Sequence, residues 1–194
     1  MLPYPIAIVD LETTGMSPAR ERVIEVGICL AEGGAVVEEW STLVNPDTPI
    51  PPFIERHTGI STAMVTHAPP FGEIAGAVAR RLEGRVVVAH NAAFDVGFLK
   101  SEFRRAGHCF AAHALCTVRL SRALYPKERR HGLDALIERF GLPCANRHRA
   151  LDDARALWHL LGAFREETGE ARFFAAAGQV LRRHLPERES GGSG

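Results

Sequence analysis

The stretch Pro5-Ile6-Ala7-Ile8-Val9-Asp10-Leu11-Glu12-Thr13-Thr14-Gly15 decides how the chain is read. Ile6 to Val9 form a short apolar run rich in β-branched residues, the pattern of a strand buried on both faces. A strand alternates its side chains, so Asp10 and Glu12 project to the same side at its C-terminal end. Thr13-Thr14-Gly15 then breaks the strand, and Gly15 lets the backbone approach whatever the carboxylates hold. Two like charges at the end of an apolar strand repel one another unless a proton or a cation intervenes. A divalent metal ion is the expected partner.

Working outward, 194 residues fit one domain with a short appendage, and 46% hydrophobic with 24% charged residues is an ordinary globular composition. Lys plus Arg and Asp plus Glu balance at 23 each, so net charge selects no partner. Distribution says more. Between His113 and Ala150, Arg119, Arg122, Lys127, Arg129, Arg130, Arg139, Arg147 and Arg149 face only Glu128, Asp134 and Glu138, the footprint of a face that tracks a phosphate backbone. Cys29, Cys109, Cys116 and Cys144 form no C-x-x-C pair, and the start of the chain does not resemble a signal peptide. A reducing, cytoplasmic setting without membrane contact is expected, with no zinc site.

Arg22 to Leu30 and Val36 to Val44, separated by Gly33-Gly34, read as an antiparallel meander with the first strand. Prolines at 46, 49, 51 and 52 exclude regular structure there, and short helical turns are expected around His57-Thr58-Gly59-Ile60. A helix spans Phe71 to Leu82, and the buried strand Val86 to Ala89 ends in His90-Asn91. In the following helix, Ala93 to Arg105, Asp95 precedes Phe98 and Leu99 by three and four residues and so faces inward. Helices over Thr117 to Leu124 and His131 to Phe140 carry the basic segment. The stretch from His148 to about Glu167 reads as one helix with Ala150, Ala154, Leu157 and Leu161 on its apolar face. At about 100° per residue, Asp153 falls beside that face and Asp152 opposite it. His148 cannot share Asp153's face if both are helical, so it is placed on the loop at the helix start. After Gly169 a further amphipathic helix is expected to end near Pro186. The expected organisation is thus a catalytic domain over 1–168, a helix over 169–186 that packs on it or serves as a partner handle, and a disordered tail over 187–194.

Four inward carboxylates, Asp10, Glu12, Asp95 and Asp153, come from three separate elements, and hard oxygen ligands of this kind suit Mg²⁺ or Mn²⁺. A pair of such ions clamps the attacking and leaving oxygens of a phosphodiester displacement. A nearby histidine takes the proton of the attacking water at neutral pH. Val9-Asp10-Leu11-Glu12-Thr13-Thr14-Gly15, His90-Asn91-Ala92-Ala93-Phe94-Asp95-Val96-Gly97-Phe98-Leu99 and His148-Arg149-Ala150-Leu151-Asp152-Asp153-Ala154 together resemble the three motifs of the DnaQ-like DEDDh family of 3′-to-5′ exonucleases. The resemblance implies a ribonuclease H-like α/β fold, a mixed sheet of about five strands flanked by helices. It implies that Asp10 bridges two metal ions, that Glu12 and Asp153 complete the shell of one, that Asp95 serves the other, and that His148 is the general base. It further implies that the backbone at Thr13, Thr14 and Gly15 meets the terminal 3′-hydroxyl, and that His57, Thr58, His90, Asn91 and Phe94 shape the pocket of the terminal nucleotide.

Within the family, the motif forms look most similar to the proofreading epsilon subunit of bacterial DNA polymerase III. The expected activity is therefore release of nucleoside 5′-monophosphates from DNA 3′ ends in proofreading or repair. RNA-trimming members share the same catalytic set and form the alternative. A third reading is a replication-assembly module attached to a polymerase subunit or clamp, for which Gln179-Val180-Leu181 is a faint echo of a clamp-binding peptide. One departure stands out: Cys116 precedes Thr117 where family members often carry Asp.

Overall fold

The computed structural model describes residues 2–184; the tail expected over 187–194 lies outside the described residues. Strand β1 (Ile6–Thr13) pairs antiparallel with β2 (Val23–Glu32), which pairs antiparallel with β3 (Ala35–Leu43). On its other edge β1 runs parallel to β4 (Val86–Ala89), and β4 parallel to β5 (Ala112–Cys116). A short β6 (Arg182–His184) closes the order β3-β2-β1-β4-β5-β6 by pairing antiparallel with β5. The sheet therefore has six strands among the described residues, one more than the expected count of about five. β5 reads Ala-His-Ala-Leu-Cys and lacks the β-branched residues that betray a strand.

Both faces of β1 are covered, as its apolar run requires. Ala7, Val9 and Leu11 pack toward α3 (Phe71–Leu82) and α4 (Ala93–Arg105), joining Phe71, Val78, Phe98 and Phe103. Ile6 and Ile8 pack the other way, among residues of α5 (Thr117–Leu124), α6 (Leu133–Phe140), α7 (Ala150–Thr168) and α8 (Glu170–Val180). By strand alternation Asp10 and Glu12 share the α7 side with Ile6 and Ile8. Two short helices, α1 (Pro52–Thr58) and α2 (Thr62–Val65), enclose a small core of Ile24, Ile50, Ile60 and Val65.

The helix expected from Gly169 to near Pro186 ends at Val180, where the chain extends at Leu181 and enters β6. Phe173, Ala177 and Val180 of α8 are buried against the sheet-side core. Val180 is thus core, and Gln179-Val180-Leu181 is not a free peptide. No helix among the described residues is long and apolar enough to cross a membrane.

The first turn of α7 lies directly on the β2 backbone at Gly27, which pairs with Asp10 across the β1–β2 ladder. A Cβ at Gly27 would fall inside the envelope of the Ala150 carbonyl carbon and the Leu151 nitrogen, closer than packed side chains come. Two pairs along, on the same face, Glu25 grips the same helix end. It accepts the Ala150 amide at 2.9 Å and pairs with Arg149 at 2.7 Å while only 3% exposed. A buried carboxylate at a helix start satisfies an otherwise orphan amide and complements the helix dipole.

The β1–β2 loop is held from the other side. Glu102 of α4 is buried and takes Arg22 in a two-pronged pair (2.8 and 3.1 Å) together with the Val23 amide at 3.2 Å. Arg105 donates to the carbonyls of Pro18 and Ala19, each at 3.0 Å. Such forked pairing supplies the compensation that a buried carboxylate needs.

Gly27→Ala is expected to destabilise the fold by about 2 kcal/mol or more through overpacking of backbone on backbone. Gly162→Ala, inside α7 where an added Cβ meets nothing within 4 Å, is expected to stabilise by up to about 1 kcal/mol. Urea denaturation of both variants beside the parent checks the pair.

Candidate active site

Parallel pairing of β1 with β4 ends at Ile8 and Val88, so the C-terminal half of β1 is open on that edge. Asp95, in the first turn of α4, fills the opening and accepts the Leu11 amide. From the opposite layer, the first turn of α7 brings in Asp153, 3% exposed. Asp10, Glu12, Asp95 and Asp153 line one cleft with His148, His90, Asn91, Phe94, Leu11, Met16, Leu133 and Arg147. Ligand atoms of Glu12, His148 and Asp153 lie within 4.8 Å of one another.

Electrostatics mark this cluster as uncomfortable. Burial, then the neighbouring Asp153 and Glu25, push Glu12 up to about 8. Burial lifts Asp95 to about 8, against the opposing effect of its backbone hydrogen bonds. Asp10 is raised well above the carboxylate range by burial and then by Asp95, Asp153 and Glu12. Oxygen donors converging at such a cost are the donor set of a hard divalent cation, so the residues fit the metal ions expected from the sequence.

His148 precedes α7 by two residues and takes a left-handed backbone with φ 62°, an uncommon state for a non-glycine residue. Two contacts hold it. Its amide donates to Asp153 Oδ2 at 3.2 Å, and its ring lies 3.8 Å, centroid to centroid, from that of His57. Burial, then the Arg147 guanidinium and the neighbouring His57, depress the His148 pKa, so the imidazole is neutral and carries a free lone pair at physiological pH.

His90 has a defined tautomer. The Thr117 hydroxyl lies 3.3 Å from the Ala89 carbonyl, which only accepts, and 2.8 Å from His90 Nδ1. One hydroxyl proton satisfies both contacts only if it goes to Ala89 and His90 Nδ1 donates. Nε2 is buried, on the side of the ring that meets the His131 backbone. Burial first and Arg147 second hold the ring neutral, with its pKa down at about 4.

The remaining expected residues are distributed unevenly. Asn91 sits at the cleft in a left-handed turn, φ 67°, and Phe94 packs on Phe98 at 4.8 Å while lining the cleft. The Thr13 hydroxyl donates to the Gly15 carbonyl at 2.6 Å, and the Thr14 hydroxyl donates to Glu21 at 2.8 Å. The Thr14 amide is taken by the Arg22 carbonyl at 2.8 Å. Thr58 bonds within its own turn, to the Ile54 carbonyl and the Ile60 amide. Thr13, Thr14, Gly15, His57 and Thr58 are not among the residues that line the cleft, and His57 adjoins it through its ring contact with His148. Asp152 faces away, paired with Arg155 at 2.8 Å, as the helical periodicity requires.

Sequence reasoning missed Arg147, which it counted in a backbone-tracking segment. Arg147 instead folds into the cleft and pairs with both Asp153 and Asp134. Its only signal was adjacency to His148. Glu25 was missed as well, although a carboxylate in the midst of an apolar strand was there to be read.

Comparison with known proteins places these features in context. The model of a family described as exonuclease (RNase_T) matches residues 7–161. The chain is 39% identical over 149 residues to a DNA polymerase III PolC-type of Caldanaerobacter subterraneus, covering 77% of this chain and 11% of that protein. It is 40% identical over 149 residues to the 3′-5′ exonuclease DinG of Bacillus subtilis, covering 76% of this chain and 16% of that protein. The chain thus spans well under a third of the length of these curated relatives. Among solved structures, exonuclease X in complex with 5′ overhanging duplex DNA superposes with a TM-score of 0.71 at 27% identity, covering 90% of this chain and 96% of the other.

Native Glu12 keeps its proton up to about pH 8, whereas the unfolded chain releases it near the ordinary glutamate value of 4.5. The native state is therefore the better proton binder between those values, and stability falls as pH rises through them. In chelator the melting temperature is expected to drop between pH 5 and 8, and Asp10→Asn is expected to flatten the drop. A thermal-shift series in EDTA measures both slopes.

Proposed function

The chain belongs to this exonuclease family, and from that premise we propose that it hydrolyses phosphodiester bonds at the 3′ ends of DNA, releasing nucleoside 5′-monophosphates. The observation that carries the reading is the convergence of Asp10, Glu12, Asp95 and Asp153 on one cleft from three separate elements, joined there by His148 from the turn before α7. Asp10, Glu12, Asp95 and Asp153 would hold two divalent ions, Mg²⁺ or Mn²⁺, which when bound supply Lewis-acid polarisation of the scissile phosphate and a lowered pKa for the attacking water. His148 accepts the proton of that water. Its neutral ring, held against His57, suits a base. His90 and Phe94 line the pocket offered to the terminal nucleotide, Phe94 as an apolar wall. Residues 1–168 form the catalytic unit in this reading, with α8 packed on it.

The nucleic-acid face follows from charge. Of the eight basic residues between His113 and Ala150, Arg130, Arg139, Arg147 and Arg149 are paired with acids. Arg119, Arg122, Lys127 and Arg129 are exposed and carry no ion pair among the described residues, and these four contact the phosphate backbone. A second reading is attachment to a DNA polymerase, favoured because the PolC-type relative carries its matching stretch inside a much longer chain.

Degradation of 5′-labelled single strands of one sequence, as DNA and as RNA, with Mg²⁺ and with chelator, tests the proposal. A chelator-sensitive ladder shortening from the 3′ end of DNA is expected. Preference for RNA would move the assignment to RNA-trimming members, and no ladder on either strand would remove it. Asp153→Asn is expected to abolish cleavage while Asp152→Asn retains it. His148→Ala is expected to lower kcat by 100-fold or more, roughly the contribution of a general base, with little change in KM.

A further inference from the structure

Among the described residues, Arg147 is the one arginine or lysine lining a cleft of carboxylates. Its Nε donates to Asp134 Oδ1 at 2.6 Å, and its Nη1 lies against Asp153 Oδ2. The two arms differ in burial. The Asp134 arm is a short directional hydrogen bond to a side chain that is 76% exposed. The Asp153 arm is an ion pair to a carboxylate whose side chain is only 5% exposed. Asp153 Oδ2 also accepts the His148 amide, while Oδ1 accepts from the Cys144 thiol at 3.6 Å.

We propose that Arg147 is a resident counter-cation that competes with a divalent metal ion for Asp153, and that Asp134 is the perch on which it stays when it lets go. The inference rests on the metal-dependent reading above. Physically, a carboxylate cluster buried without positive charge is costly, and a guanidinium on one member relieves it. A divalent ion drawn to the same Oδ2 meets that guanidinium as a like charge at close range. Because Nε is anchored separately, Nη1 can leave Asp153 by a side-chain rotation that keeps the short Asp134 bond. The side chain then sets how tightly the cleft takes metal, and it guards the acids in the meantime. The cation's influence reaches the whole cleft: it lowers the pKa of Asp10, Glu12, His90 and His148 alike.

The test is direct titration of Mn²⁺ by calorimetry into the parent protein, Arg147→Gln, Asp134→Asn and the double variant, each also melted in chelator. Arg147→Gln is expected to tighten Mn²⁺ binding by about three- to tenfold and to lower the melting temperature in chelator. Asp134→Asn is expected to weaken Mn²⁺ binding, because Arg147 then has only Asp153, and to add little once Arg147 is gone. Unchanged or weaker binding by Arg147→Gln would overturn the inference and leave the metal site standing, with ion and arginine on different sides of Asp153. Failure of the parent to bind Mn²⁺ would overturn the metal-dependent reading itself. Should Arg147→Gln not fold, Asp134→Asn decides alone, and unaltered Mn²⁺ affinity in it refutes the competition.

Discussion

Everything at the cleft depends on how closely α7 can approach β2. The helix rests its first turn on Gly27, where a side chain would hold it off, and Glu25 locks it there by taking the Ala150 amide and the Arg149 guanidinium. Gly27 pairs with Asp10 and Glu25 with Glu12, so the residues that seat the helix stand beside those that carry the chemistry. A helix shifted by a side chain's width would take Asp153 and the preceding His148 with it. Positioning of this quality comes from rigid elements packed in direct contact, which loops alone do not supply.

The fold tolerates at this point what it avoids elsewhere. Buried acids outside the cleft are fully compensated, Glu102 by Arg22, Arg105 and an amide, Glu25 by Arg149 and an amide. Inside the cleft, four carboxylates share a single guanidinium among the described residues, and the adjoining His148 is held in a left-handed conformation. Local strain and unbalanced charge are where a protein stores the means to bind ions and react. The surrounding structure is correspondingly stiff. The loop after β1 is pinned by α4, and both faces of β1 are packed with aliphatic and aromatic side chains.

Much of this was legible in the sequence, for identifiable reasons. The run Ile6 to Val9 announces a doubly covered strand, and strand alternation places Asp10 and Glu12 on one side without further information. Helical periodicity separates Asp153 from Asp152, and the boundaries of α3, α4 and α5 are written by their apolar spacing and flanking breaks. What escaped was whatever depends on a partner far away in the chain. β5 is a strand because β4 lies beside it, and β6 exists because β5 offers an edge. The end of α8 was misplaced because the apolar pattern continues past Val180 through Leu181. Arg147 looked like a surface charge because nothing local says that Asp153 and Asp134 flank it.

The cleft joins Asp10 and Glu12 to Asp153 across most of the chain, with the closing contact made by α7 against β1 and β2. During synthesis the two halves of the site are therefore made far apart in time. A nascent chain that has built the β1–β3 meander and even α4 still lacks Asp153, His148 and the helix that squeezes the carboxylates together. Loop-closure entropy adds to the delay, because contacts of high sequence separation form late. The topology thus acts as a timer: the cleft is completed only once nearly all of the domain has left the ribosome, and incomplete products carry the acids without the geometry that would make them reactive.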